Sequence, residues 1–169
     1  MRYFDVDIKV SNKDLQWMFD LGDNITEPDW TIRPHKLTAE EMQRITPISG
    51  QFPVKPEYAA IIMVPAGTVC KTHVDDKANE AGVRQRVTAI NIPIRVHEKS
   101  VFQYMEKEEL GVYNKVIEEL TIHDGAKCWR VDIPHRVDNS QSAYNRVVLS
   151  LSYCQTIEQL YEIYRRTKS

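Results

Sequence analysis

Residues 71–76, Lys-Thr-His-Val-Asp-Asp, place an imidazole and a carboxylate two positions apart, just after the apolar run "YAAIIMVP" and the turn Pro65-Ala66-Gly67. An extended chain sends alternate side chains to the same face. His73 and Asp75 would then project side by side. Such a pair holds a metal, moves protons, or simply hydrogen-bonds on a surface strand. Asp76 is a rival carboxylate, but at an odd offset from His73 it points to the other face. Two later residues bear on the choice. His135 follows Pro134 in "VDIPHRVDN", and Arg146 opens the otherwise apolar stretch "RVVLSLSY".

Two histidines and one carboxylate on one side of a metal are the ligand set of mononuclear non-haem iron(II) oxygenases. Three protein ligands on one face of an octahedron leave adjacent positions for a bidentate co-substrate and for dioxygen. An arginine facing into a barrel is costly unless a carboxylate meets it, and its fork binds a carboxylate through two parallel bonds. Ser150 lies on the same strand face as Arg146 and adds a hydroxyl. Arg86 and Thr88, two apart in "RQRVTAINIPI", share a face if that strand is regular. Asn91 would then point the other way, as a strand-edge amide or a site residue.

The quoted segments, "PAGTVCKTHVDD", "RQRVTAINIPI" and "KCWRVDIPHRVDNSQSAYNRVVLSLSY", resemble the 2-oxoglutarate/Fe(II)-dependent dioxygenase superfamily, and within it the aspartyl/asparaginyl β-hydroxylase branch. The resemblance runs over about residues 57–153 and rests on the turn before His73, Arg84 and Arg86, and Trp129, Asp132, His135, Asn139 and Arg146. It implies a double-stranded β-helix, a form of jelly roll. It also implies Fe(II), 2-oxoglutarate and O2, with succinate and CO2 released as a substrate C–H is hydroxylated. Carried over by position, His73, Asp75 and His135 are the metal ligands and Arg146 clamps the far carboxylate of 2-oxoglutarate. Arg86 and Thr88 would line that pocket or meet substrate, and Ser150, by its spacing from Arg146, would add its hydroxyl there. Some members of the branch lack the carboxylate ligand, whereas this chain has Asp75. Two other readings stay open: a cupin-type metalloenzyme that does not use 2-oxoglutarate, and a non-catalytic jelly-roll binding protein. Cupin sites usually carry His-x-His on the first ligand strand, and here it is His-x-Asp.

These residues need a scaffold of short strands. From Glu57 onward, segments rich in β-branched and aromatic residues alternate with turn signals, including Asp124-Gly125. "KTHVD" itself reads as one of the strands, and residues 106–120 read as a loop leading into another. Many short strands in 169 residues point to a mainly β sandwich or jelly-roll barrel with flanking helices. Three helices are announced by capping boxes: Ser11 with Asp14, Thr38 with Glu41, and Thr156 with Gln159. Residues 22–56 hold Pro28, Pro34, Pro47, Pro53 and Pro56, and read as an irregular flank. The organisation expected is one domain: a flank over 1–56, a jelly-roll core over 57–153 and a C-terminal helix over 156–169.

The formal net charge of −2 gives no footprint for general nucleic-acid or anionic-membrane binding. No apolar stretch approaches the ~20 residues that span a bilayer, and the first ten residues alternate and carry acids, unlike a signal peptide. The three cysteines, Cys70, Cys128 and Cys154, are far apart and read as reduced, buried thiols of a cytoplasmic protein. A protein side chain, an amino acid or a small metabolite all remain open as substrate, and so does the oligomeric state.

Overall fold

A computed structural model of the chain describes residues 1–25, 33–75, 86–107 and 112–168. Among these, the elements in chain order are β1 (Tyr3–Val6), α1 (Asn12–Asp23), β2 (Arg33–Lys36), α2 (Ala39–Arg44), α3 (Thr46–Ser49), β3 (Tyr58–Val64), β4 (Thr88–Arg95), β5 (Val101–Lys107), β6 (Tyr113–Leu120), β7 (Ala126–Arg130), β8 (His135–Asp138), β9 (Arg146–Tyr153) and α4 (Ile157–Lys168). The strands form a six-stranded sheet, β1-β7-β4-β9-β3-β2, and a three-stranded sheet, β6-β5-β8. Every strand pairing among the described residues is antiparallel.

Side-chain alternation divides the large sheet into two faces. Ala59, Ile61 and Met63 of β3, Ile90 and Ile92 of β4, and Val147, Leu149 and Leu151 of β9 pack with Met18, Ile45, Ile48, Phe52, Ile157 and Leu160 from the helical side. The opposite parity, Val64, Ala89, Trp129 and Val148, packs with Phe102, Tyr104, Leu120 and Val137 of the small sheet. The order of layers is therefore helices, large sheet, small sheet, with a second core between the sheets. The fold is mainly β, a double-stranded β-helix with flanking helices.

The capping residues act as their types predict. Ser11 accepts from the Asp14 amide, and Thr38 and Glu41 form a reciprocal box. Thr156 and Gln159 also bond reciprocally. Four local features depart from the sequence reading. The proline-rich flank contains strand β2 and helix α3, because Pro34 sits on an edge strand and Pro47 in the first turn of a helix, both tolerated places. "KTHVD" is not a strand: it meets β8 through the isolated bridge of His73 with His135. The Asp124-Gly125 turn, with Gly125 N donating to Ile122 O, carries the chain from one sheet to the other and not between paired strands. Cys70 and Cys128 are buried, but Cys154 is exposed, just past β9, with its thiol directed to Glu57. Arg84, Asp76, Trp30 and Pro28 lie outside the described residues. Among the described residues, no helix is long and apolar enough to cross a membrane.

Candidate metal centre

A cavity of about 540 Å3 opens between the two sheets, a size that suits a small molecule. His73, Asp75, Arg86, His135 and Arg146 all line it. Thr88 and Ser150 do not appear in the lining.

The two histidines are brought together by backbone pairing. His73 N donates to His135 O and His135 N to His73 O, each at 2.9 Å, and the ring centroids lie 4.5 Å apart. Each ring is oriented by the carbonyl two residues before it. His73 Nδ1 lies 2.8 Å from Lys71 O, and His135 Nδ1 lies 2.8 Å from Ile133 O. A carbonyl only accepts, so both Nδ1 atoms carry the proton and both Nε2 atoms present lone pairs. Phe102 stacks on the His135 ring at 4.9 Å and on Trp129 at 4.1 Å, which fixes the ring plane.

Asp75 closes the group. Its amide is held by Val131 O at 2.8 Å. Its Oδ1 lies 3.5 Å from His73 Nε2 and its Oδ2 3.7 Å from His135 Nε2. The ligand atoms of the three residues all fall within 4.8 Å of one another. Separations of 3.5 and 3.7 Å are ones a single ion spans with bonds of about 2.1 Å. The donor set, two neutral imidazole nitrogens and a carboxylate, fits a borderline divalent transition metal. Burial raises the Asp75 carboxyl, but the neighbouring His135 ring, the Arg86 guanidinium and the His73 ring outweigh it, and the pKa falls to about 2. Burial and the neighbouring His135 hold His73 below the usual imidazole value. Both groups therefore stand at neutral pH in the form that ligates.

Arg146 lies at the start of β9, 3% exposed. Among the described residues, no hydrogen bond or ion pair meets its guanidinium. Burial draws its pKa down to about 10, so it keeps its charge at neutral pH. Its position is set by the end of β3, where Val64 is its cross-strand partner. Asn139 Nδ2 donates to Val64 O, Pro65 O and Tyr144 O at 3.1, 2.9 and 3.3 Å, tying the exit of β3 to the approach to β9. Gly67 makes the intervening turn at φ 72°, a left-handed backbone that favours glycine.

The remaining expected residues are placed differently. Arg86 precedes β4; its Nη1 lies 3.3 Å from Asp75 Oδ2 and its Nη2 donates to Ser150 Oγ at 3.2 Å. Thr88 points to the helical side and donates to Gln155 O at 2.8 Å. The expectation that it shares a face with Arg86 fails because β4 begins at Thr88, beyond a bend at Val87. Asn91 is the β4 residue on the cavity face. The strand alternation that turns Thr88 away is the signal that places Asn91 inside. Pro34 and Lys36 of β2 and Tyr58 of β3 line the cavity as well, a contribution hidden by the irregular reading of the flank. Three lining residues keep a buried polar atom without a partner among the described residues: Arg86 Nε, Asn91 Oδ1 and Trp129 Nε1. The cavity thus offers cations and unmet polar atoms to a polar, anionic guest.

No family model and no curated protein matches the sequence. Solved structures do. A viral collagen prolyl hydroxylase from Paramecium Bursaria Chlorella virus-1, in complex with 2-oxoglutarate, aligns with a TM-score of 0.53 at 9% identity over 90% of this chain and 95% of that one. A Pseudomonas putida prolyl-4-hydroxylase aligns with a TM-score of 0.45 at 11% identity, covering 82% and 80%. Vicilin from hazelnut, Corylus avellana, gives 0.44 at 13%, covering 86% and 37%. The first of these supports the fold, and the chain is similar to that hydroxylase in the double-stranded β-helix that carries the site.

Proposed function

We propose that the protein is an Fe(II)- and 2-oxoglutarate-dependent oxygenase that hydroxylates a C–H bond of a protein side chain, an amino acid or a small metabolite. The observation that carries this reading is the pairing of a His73–Asp75–His135 cluster with Arg146, a buried cation that has no anionic partner among the described residues, in one cavity. His73 and His135 would hold iron through Nε2 and Asp75 through its carboxylate. Arg146 would take the far carboxylate of 2-oxoglutarate. When bound, iron supplies the oxygen chemistry in which substrate, O2 and 2-oxoglutarate become hydroxylated product, succinate and CO2. The chain's own part is to bind and orient. The Lys71 and Ile133 carbonyls hold the imidazoles, Phe102 fixes the His135 ring, and the core between the sheets keeps bulk water from the inner end of the cavity.

The prolyl hydroxylase that shares the fold, and was solved with 2-oxoglutarate, supports the co-substrate. The aspartyl/asparaginyl β-hydroxylase branch rests on the sequence motifs alone. A cupin-type site without 2-oxoglutarate would leave Arg146 buried with nothing to meet it. A ligand-observed NMR titration of 2-oxoglutarate against protein loaded with Zn(II) tests the reading without turnover. Broadening of the co-substrate signals that requires both metal and Arg146 supports it. Binding that survives Arg146→Met would overturn the assigned role.

A further inference from the structure

We infer that Arg86 is a positioning residue that holds Asp75 so that one carboxylate oxygen is offered to the metal and the other is kept back. The inference rests on the metal reading above and gives Arg86 a role other than lining a co-substrate pocket. Two of its three nitrogens are already engaged: Nη1 faces Asp75 Oδ2 at 3.3 Å, and Nη2 donates to Ser150 Oγ at 3.2 Å. Asp75 Oδ1 faces His73 Nε2 at 3.5 Å, while Oδ2, 3.7 Å from His135 Nε2, is the oxygen for which Arg86 competes at 3.3 Å. The need for such a hold follows from the local structure. Asp75 lies beyond the regular strands, on a segment joined to β8 by isolated bridges. Its amide is fixed by Val131, but nothing in its own backbone fixes the rotation of its carboxylate. Ser150, in contrast, belongs to β9, flanked by β3 and β4 in the large sheet. Arg86 therefore ties a ligand outside the ladder to an interior strand of the large sheet.

The chemical consequence is coordination number. A free carboxylate chelates a divalent ion through two oxygens as readily as through one. A guanidinium on Oδ2 competes for that oxygen's lone pairs and favours binding through Oδ1 alone. One position on the ion then stays open for a second ligand.

The test uses Co(II) alone, added to metal-free full-length protein, read by its visible d–d bands and by affinity. Arg86→Ala should bind Co(II) about 10- to 100-fold more weakly, as loss of an outer partner usually does. Its bands should shift and weaken as the freed oxygen raises the coordination number. Added guanidinium chloride at low millimolar concentration should restore the wild-type spectrum in Arg86→Ala, which a merely structural role would not produce. Ser150→Ala, which removes only the anchor, should move affinity and bands the same way by a smaller factor. Wild-type affinity and bands in Arg86→Ala overturn the inference, as do wild-type values in Ser150→Ala if the arginine variant does not fold. If wild-type protein binds no Co(II), or His73→Ala binds it as well as wild type, the metal reading itself falls and takes the inference with it.

Discussion

Arg146→Met should make the ligand-free protein more stable while abolishing its response to 2-oxoglutarate. The guanidinium is 3% exposed and has no anion beside it among the described residues. Its pKa is drawn down from the usual arginine range to about 10 by burial. That fall, at about 1.4 kcal/mol for each tenfold change in proton affinity, places the cost of burying this charge at about 3–4 kcal/mol. The sign follows from the depressed value. Below pH 10 the folded state carries the whole penalty, and it is relieved only as pH rises above 10, so a measurement at pH 7 sees all of it. Methionine fills similar volume without charge, and such replacements of buried ions are neutral to stabilising by about 1–4 kcal/mol. For a chain of this size each kcal/mol gained is a rise of about 2–4 °C in Tm, so the variant gains at most about 16 °C. Wild-type protein with metal and 2-oxoglutarate at about 100 times Kd should gain about 2.7 kcal/mol, and the variant nothing. Thermal melts of both proteins, with and without co-substrate at fixed metal, supply the four values needed. A variant less stable than ligand-free wild type would refute the reasoning, because Arg146 would then have a partner within the protein. So would a variant that still gains Tm from 2-oxoglutarate.

Other outcomes follow from the same geometry. Because the Asp75 pKa is depressed in the folded state, its contribution is present above about pH 4 and lost as pH falls towards 2. Metal-free Asp75→Asn should therefore show a flatter stability profile across that window, by about 2 kcal/mol in denaturant titrations. Asn139→Ala leaves the Val64, Pro65 and Tyr144 carbonyls without their shared donor. It should cost about 2–4 kcal/mol in the same assay and weaken 2-oxoglutarate binding by letting β9 shift. A side chain at Gly22 of α1 would meet Val147 Cγ1 at 2.6 Å. Gly22→Ala should thus lower stability by about 1–3 kcal/mol, read as a drop in Tm.

The sequence carried the residues that gather in the cavity and lost some of their neighbours. His73, Asp75, His135 and Arg146 are legible because residue type and the alternation of an extended chain agree, even though residues 71–75 form no strand. Thr88 was misplaced by treating residues 84–94 as one regular strand, when a bend at Val87 resets the alternation just before β4. Strand β2 escaped because prolines argue against central strands, and this one is an edge. The link from Arg86 to Asp75 and Ser150, and the stacking of Phe102 on His135, join residues far apart in the chain. No spacing rule announces such contacts. Residue type alone favours burial of Cys154, but it falls just after β9 ends and is exposed.

The most direct measurement is anaerobic addition of Fe(II) and then 2-oxoglutarate to metal-free protein, followed by visible absorption. A weak charge-transfer band should appear only when both are present, vanish in Asp75→Ala and fade in Arg146→Met. Iron that fails to bind, or binds with no response to 2-oxoglutarate, would contradict the account.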